Sequence, residues 1–159
     1  MAGRNGHLSG LYVRSYCRRY RSVGVAIVTN CMVFTPDDLS KGVPRAYYHS
    51  QNCAWDTGSE ITVLCPELAE ALGLKEIGRG QVGGVGGDHE SWVTEVHLGL
   101  PSGETFENLK VFVDNLPDYD MLIGMDVMRE MDVAITNANG NTKFTYERPS
   151  KRDIDFTKD

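Results

Sequence analysis

The sequence lacks a long apolar run and the spacings typical of metal sites. Its longest apolar stretch, residues 23–33, is interrupted by Thr29 and Asn30, so no membrane-spanning helix is predicted. Near Met1 no basic stretch joins an apolar segment and a cleavage site, so secretion is not expected either. The four cysteines show no CxxC spacing, and no two of the four histidines have metal-site spacing. We therefore expect free thiols in a reducing cytoplasm and no bound metal.

Positive charge is also scarce. The chain has 16 basic and 22 acidic residues, a formal charge of −6, and this field would repel a phosphate backbone. Nucleic acid is therefore not an expected partner. One short basic cluster resembles a solvated or disordered face, and we assign it no function. Its members are Arg14, Arg18, Arg19 and Arg21.

The domain organisation follows from length and composition. A chain of 159 residues with 41% apolar residues suits one globular domain. Residues 1–21 show little apolar periodicity and residues 150–159 are mostly charged, so both ends are expected to be poorly ordered tails. The domain itself is predicted to span residues 22–149.

Short β-branched or aromatic runs, bounded by turn residues, dominate that span and predict strands. The predicted strands are residues 23–29, 46–55, 92–100, 105–113, 133–136 and 142–146. Turns at residues 101–103 and 137–140 are expected to join the last four of them into two hairpins.

Two segments predict short helices. Pro66 suits a first helical position and Gly73 can end that helix. A second helix is expected over residues 126–130, with Asp126 as its N-terminal cap. The prediction is an all-β domain with one or two short helices.

The run Asp56-Thr57-Gly58-Ser59 follows one predicted strand and precedes the apolar run at residues 61–64. An Asp at a tight turn between buried strands needs hydrogen bonds, and the glycine lets a backbone N–H approach its carboxylate. Taken alone, the run also fits a β-turn with an Asx hydrogen bond.

Two further segments favour a functional interpretation. Residues 78–87 are rich in glycine and fit a hairpin that bends over a cleft as a mobile flap. Residues 120–126, Asp-Met-Leu-Ile-Gly-Met-Asp, place a hydrophobic pair and a glycine before the second helix.

The order of these features resembles the retropepsin-like aspartic proteases over residues 23–149, most closely their bacterial and cellular single-domain members. Trp55 before the Asp-Thr-Gly run and the closing aromatic strand that ends at Pro149-Ser150 add to the resemblance. The resemblance implies a retropepsin-like closed β-barrel, which is one half of an acid protease.

The resemblance also implies a function and a set of site residues. The chain would be an aspartic endopeptidase that acts on polypeptides as a homodimer, because it has a single Asp-Thr-Gly run and the chemistry needs two carboxylates. Asp56 would be catalytic, Thr57 would brace the two active-site loops, and the Gly58 backbone would support the carboxylate, to which a Ser59 hydroxyl could also donate. No cofactor is implied. Substrate contacts are expected at Val82, Gly83, Gly84, Val85, Gly86, Gly87, Leu122, Ile123 and Gly124.

Other interpretations remain open. The same fold could be a catalytically silent module that binds extended peptides. The glycines at residues 78–83 formally match G-x-G-x-x-G, but a dinucleotide site needs a strand before them and a helix after them. Asp88 and His89 could form an acid/base pair, although loop-tip polar residues are usually solvated. Asp126 could be mistaken for a second catalytic acid.

Overall fold

The computed structural model describes residues 13–36, 46–83 and 86–158. Strands make up 47% and helices 10% of the structure, which confirms the predicted all-β class with two short helices. The strands are β1 Arg14–Arg19, β2 Val28–Phe34, β3 Tyr47–Trp55, β4 Val63–Leu64, β5 Gly78–Val82, β6 His89–Gly99, β7 Thr105–Val113, β8 Met121–Ile123, β9 Asp132–Thr136 and β10 Lys143–Arg148; the helices are α1 Pro66–Ala71 and α2 Met125–Met128. In this part of the chain, no helix is long and apolar enough to cross a membrane.

Six strands close a barrel. They are hydrogen-bonded in the order β2-β3-β8-β4-β7-β6, and β6 pairs back with β2 to complete the ring. The predicted retropepsin-like closed barrel is thereby confirmed. Alternation along the strands fills its interior: in β2, for example, Thr29, Cys31 and Val33 are buried while their neighbours are more exposed. β5 continues beyond the ring as an edge strand, paired with β6.

A smaller sheet, in the order β1-β10-β9, lies against the barrel. Residues 14–19, which the sequence analysis placed in the N-terminal tail, form β1 and pair along their whole length with β10. Aromatic packing helps to hold residues 14–19 against β10. Tyr16 stacks on Tyr146 with ring centroids 5.4 Å apart, and such pairs contribute about 0.5–1.5 kcal/mol beyond their buried area.

The strand predicted at residues 23–29 is displaced in the structure, where β2 occupies Val28–Phe34. The Gly24 N–H donates to Thr142 Oγ1 at 2.9 Å, which draws the preceding segment away from the barrel and towards the smaller sheet. Val25 is consequently fully exposed. An apolar run therefore marks a surface here and not a strand.

The two helices differ in how their first turns are held. In α1, Pro66 is the first residue and Cys65 caps the helix, its sulfur accepting from the Leu68 N–H. In α2 the N-cap is Gly124, without a side-chain capping bond. The predicted capping role of Asp126 is therefore wrong, because its carboxylate accepts hydrogen bonds from Thr62 in the loop before β4.

Candidate active site

Asp56 directly follows the last residue of β3, at the start of the loop that leads to β4. Its backbone N–H donates to the Ile123 carbonyl of β8 at 3.0 Å. The loop then turns, since the Ser59 N–H donates back to the Asp56 carbonyl at 3.2 Å. The position of the carboxyl group is thus defined by the end of one barrel strand and by the neighbouring strand.

Gly58 supports the carboxylate from the next turn of the chain. Its N–H donates to Asp56 Oδ1 at 2.8 Å, and a Cβ at this position would lie 3.2 Å from the same oxygen. Any side chain would crowd that approach, so the glycine allows the hydrogen bond. The Ser59 hydroxyl does not reach the carboxylate, because it donates to the Ile61 carbonyl at 2.7 Å.

The hydrophobic pair Leu122-Ile123 and Gly124 lie beside this loop. β8 sits between β3 and β4 in the barrel, and Ile123 is the parallel register partner of Trp55. Leu122 and Ile123 thus occupy the strand that adjoins the Asp56 loop. A Cβ on Gly124 would come within 2.9 Å of the Ser59 carbonyl oxygen, so the two segments cross at backbone contact.

Trp55 anchors the strand end that carries Asp56. Its indole N–H donates to Thr29 Oγ1 at 3.0 Å, and its ring packs on Phe144 and Tyr146 with centroids 4.9 and 5.2 Å away. The smaller sheet therefore reaches the candidate site through one aromatic side chain. The desolvation that accompanies this packing raises the pKa of Tyr146 to about 12, so its hydroxyl is neutral in the physiological range.

The outer side of the loop is open. Asp56 is half-buried, whereas Thr57 and Gly58 are exposed. Val23 and Val25 are also exposed. They precede Ile27, whose carbonyl accepts from the Trp55 N–H at 2.9 Å. Thr57 and Gly58 are thus accessible on the outer side of the loop.

The glycine-rich segment forms a hairpin, in which β5 and β6 pair up to Val82 and His89. Gly83, Gly86 and Gly87 lie in its connection and are exposed; Gly84 and Val85 fall outside the described residues. Within the described chain no hydrogen bond joins this hairpin to the Asp56 loop. The structure thus brings Asp56 and β8 together and leaves the hairpin separate.

The alternative acid/base pair of Asp88 and His89 is not formed. His89 Nε2 lies 2.5 Å from Asp114 Oδ2 instead, on an exposed side chain. This contact ties the end of β6 next to the hairpin connection to Asp114, directly after β7.

The buried thiols do not offer a competing nucleophile. Cys31, Cys53 and Cys65 are all buried away from solvent. The hydrogen bond between Cys31 and Cys53 raises the pKa of the Cys31 thiol and lowers that of Cys53, and burial raises the pKa of Cys65. All four cysteines are free, as expected from their spacing. No cluster of potential metal ligands occurs in the described part of the chain.

Sequence reasoning missed one contributor to the site. Thr62 is fully buried and contacts Asp126, a residue 64 positions away. In the sequence Thr62 stands only within an apolar run, because a contact over this separation leaves no local pattern.

A family model provides the decisive comparison. The model described as "Aspartyl protease" matches residues 51–127. This segment contains the Asp56 loop, the β5–β6 hairpin (the flap hairpin of the sequence-based expectation) and β8. Residues 51–127 therefore resemble aspartyl proteases. The family resemblance seen in the sequence is thereby confirmed. No curated protein matches this chain in sequence.

Solved structures similar to this chain include a retropepsin-like aspartic protease from Rickettsia conorii, with 18% identity, a TM-score of 0.49 and coverage of 86% of this chain and 96% of that one. The EIAV protease in complex with the inhibitor HBY-793 has 20% identity, a TM-score of 0.47 and coverage of 65% and 86%. The Simian Foamy Virus (mac) protease has 17% identity, a TM-score of 0.42 and coverage of 63% and 89%.

Proposed function

We propose that this protein is an aspartic endopeptidase that is active as a homodimer, with Asp56 of each subunit supplying one of two catalytic carboxylates. The observation that carries the proposal is the Asp56 loop itself. Its carboxylate accepts a 2.8 Å hydrogen bond from the Gly58 N–H and stays partly open to solvent. A buried structural aspartate would be enclosed by its partners, whereas this one is held and yet accessible.

The homodimer follows from the number of carboxylates. The chain has one Asp-Thr-Gly run, and the other acid considered, Asp126, is buried. A second copy related by a two-fold axis would bring Asp56 of both subunits together. Thr57 is exposed on the loop, and Val23 and Val25 are exposed in the segment before Ile27, whose carbonyl accepts from the Trp55 N–H, so these residues offer surface for such a contact.

Two facing carboxylates suit hydrolysis by an activated water. Like charges a few ångströms apart do not both ionise, so the pair holds one proton. The ionised Asp56 takes a proton from a water between the two, while the protonated one donates a hydrogen bond to the scissile carbonyl. The roles then reverse as the amine leaves. These reaction steps need neither a covalent intermediate nor a cofactor.

An extended polypeptide fits the flap hairpin as a substrate. β5 pairs with β6 on one side, and no other described strand covers its second edge. An open strand edge binds extended chains through backbone hydrogen bonds. Closing over the groove would also exclude bulk water from the reacting carbonyl.

The proposal is tested by mixing subunits. Asp56→Asn is nearly isosteric, and we expect it to remain a folded dimer with cleavage of an unstructured polypeptide reduced by at least about 1000-fold. When equal amounts of parent and Asp56→Asn subunits exchange freely, about one quarter of the dimers are parent homodimers, so activity falls to about half that of the same parent alone.

The control is Asp153→Asn, the same chemical change on an exposed residue outside the strands and helices, which should leave the activity of the mixture unaltered. A mixture with Asp56→Asn that retains the full activity of its parent content would show that each subunit carries a complete site. Peptide binding without any cleavage by the parent would instead indicate the silent binding module.

A further inference from the structure

Thr62 is the last residue of the loop that begins at Asp56, and it forms a buried pair with Asp126. Thr62 is 0% and Asp126 8% exposed. The Thr62 N–H donates to Asp126 Oδ2 at 3.0 Å, and the Thr62 hydroxyl donates to Asp126 Oδ1 at 2.8 Å. The same hydroxyl accepts from the Gly124 N–H at 3.1 Å. One side chain on the loop is thus joined to both residues at the start of α2.

Backbone contacts continue this connection along the loop. The Met125 N–H donates to the Ser59 carbonyl at 2.8 Å, and the Asp126 N–H donates to the Glu60 carbonyl at 3.1 Å. Together with the bond from the Asp56 N–H to Ile123, the segment from β8 into α2 follows the loop from its first residue to its last. The loop therefore cannot shift without α2 unless several buried hydrogen bonds break.

We infer that Thr62 and Asp126 are positioning residues for Asp56. They fix the position of the Asp56 loop relative to β8, and so set where the Asp56 carboxylate lies relative to Asp56 of the second subunit. The inference rests on the proposed function. Neither residue touches the reacting atoms.

The chemistry of the pair supports a positioning role over simple packing. An apolar pair of equal volume would fill the same space but would not specify one relative position of loop and helix. A carboxylate that accepts from two atoms of one threonine, and from the Val127 N–H at 3.0 Å, specifies a distance and an orientation. Catalysis by two facing carboxylates is sensitive to misplacement on this scale, because the reacting groups must be aligned within about 1 Å.

Thr62→Val tests the inference, since valine keeps the shape and removes the hydroxyl. We expect kcat to fall at least about tenfold while KM changes by less than about threefold, because ground-state binding along the groove is kept and alignment is lost. Thr62→Ser, which restores the hydroxyl, should return kcat to within about threefold of the parent.

Thr94→Val is the matched control. Thr94 is equally buried, and its hydroxyl donates to the Lys75 carbonyl at 2.8 Å, away from the Asp56 loop. It should lose a comparable amount of stability with kcat unchanged. Parent-like kcat in Thr62→Val, or a fall in kcat in both valine variants that follows their stability, would overturn the inference.

Amide exchange separates this inference from the proposed function. Thr62→Val should speed exchange at Gly58 and Ser59 at least about tenfold, and Thr94→Val should not. This result is independent of any cleavage, so a parent without protease activity would refute the function while the positioning role is still measured. If Thr62→Val does not fold, the isosteric Asp126→Asn takes its place in both assays, and unchanged exchange and kcat in that variant would refute the pair.

Discussion

The Asp56 loop and the β5–β6 hairpin, to which the proposed function gives the catalytic acid and the substrate contacts, are built in opposite ways. The loop is linked to β8 and α2 by hydrogen bonds along its length, from Asp56 to Thr62. The hairpin connection is exposed at Gly83, Gly86 and Gly87, and Gly87 has a φ of +94°, a conformation that few other residues adopt readily.

In the proposed mechanism, this difference in rigidity suits the different roles of the two regions. Groups that carry charge in the reaction gain from being held before substrate arrives, since they need no reorganisation at the moment of reaction. Groups that must admit a polypeptide and then cover it gain from being loose. The ordering of the hairpin is therefore expected to draw on the binding free energy of the substrate.

The largest expected effect concerns the exposed part of the loop. Thr57→Ala should raise the dissociation constant of the dimer by at least about 30-fold, because the proposed contact between the two loops loses its hydroxyl. Sedimentation over a dilution series measures this. Thr105→Ala, an exposed threonine at the start of β7, is the control, and an unaltered dissociation constant for Thr57→Ala would contradict the bracing role.

An intermediate effect should separate the loop from the hairpin directly. A peptide-like inhibitor with a tetrahedral hydroxyl resembles the hydrated scissile bond. We expect it to slow hydrogen exchange at least about tenfold over residues 80–91, and less over residues 56–62, which are already hydrogen-bonded. The same compound without its hydroxyl is the control. Protection elsewhere, with this hairpin still exchanging fast, would show that the hairpin is only a connection.

The smallest effect compares two glycines of the hairpin. A Cβ at Gly80 would lie 2.9 Å from the Phe112 ring, whereas one at Gly86 meets nothing within 4 Å. Gly80→Ala should therefore lower the free energy of unfolding by about 1 kcal/mol, the low end for overpacking because β5 is an edge strand. Gly86→Ala should leave it within about 0.5 kcal/mol of the parent. Urea unfolding of both variants decides this, and equal losses would mean that the hairpin base is not packed on Phe112.

Much of the barrel was predictable because its signals are local. β7 matches its predicted residues, and α1 begins at Pro66 and is followed by Gly73 with a φ of +60°, as the turn chemistry indicated. β1 was missed because its pattern is polar and its partner is β10, at the other end of the chain. Alternation within β1 does not reveal which face a distant sheet will cover.

The candidate site shows the same limit. Asp56, Gly58 and the β8 residues could be named from a short motif and an order of elements, whereas the role of Asp126 could not. Its side chain could either cap the helix locally or accept hydrogen bonds from a residue distant in sequence. It accepts from Thr62, because Thr62 provides a donor to each of its two buried carboxylate oxygens.

The pairing of β1 with β10 also has a consequence for biosynthesis. The Thr145 hydroxyl donates to the Tyr16 carbonyl across 129 positions, so β1 cannot complete its pairing with β10 until the 129 residues after Tyr16 have been translated. Contacts of such separation form late and slowly. Until then one edge of β1 and the rings around Trp55 remain uncovered, and a nascent chain released before Lys143 would expose a template for aggregation.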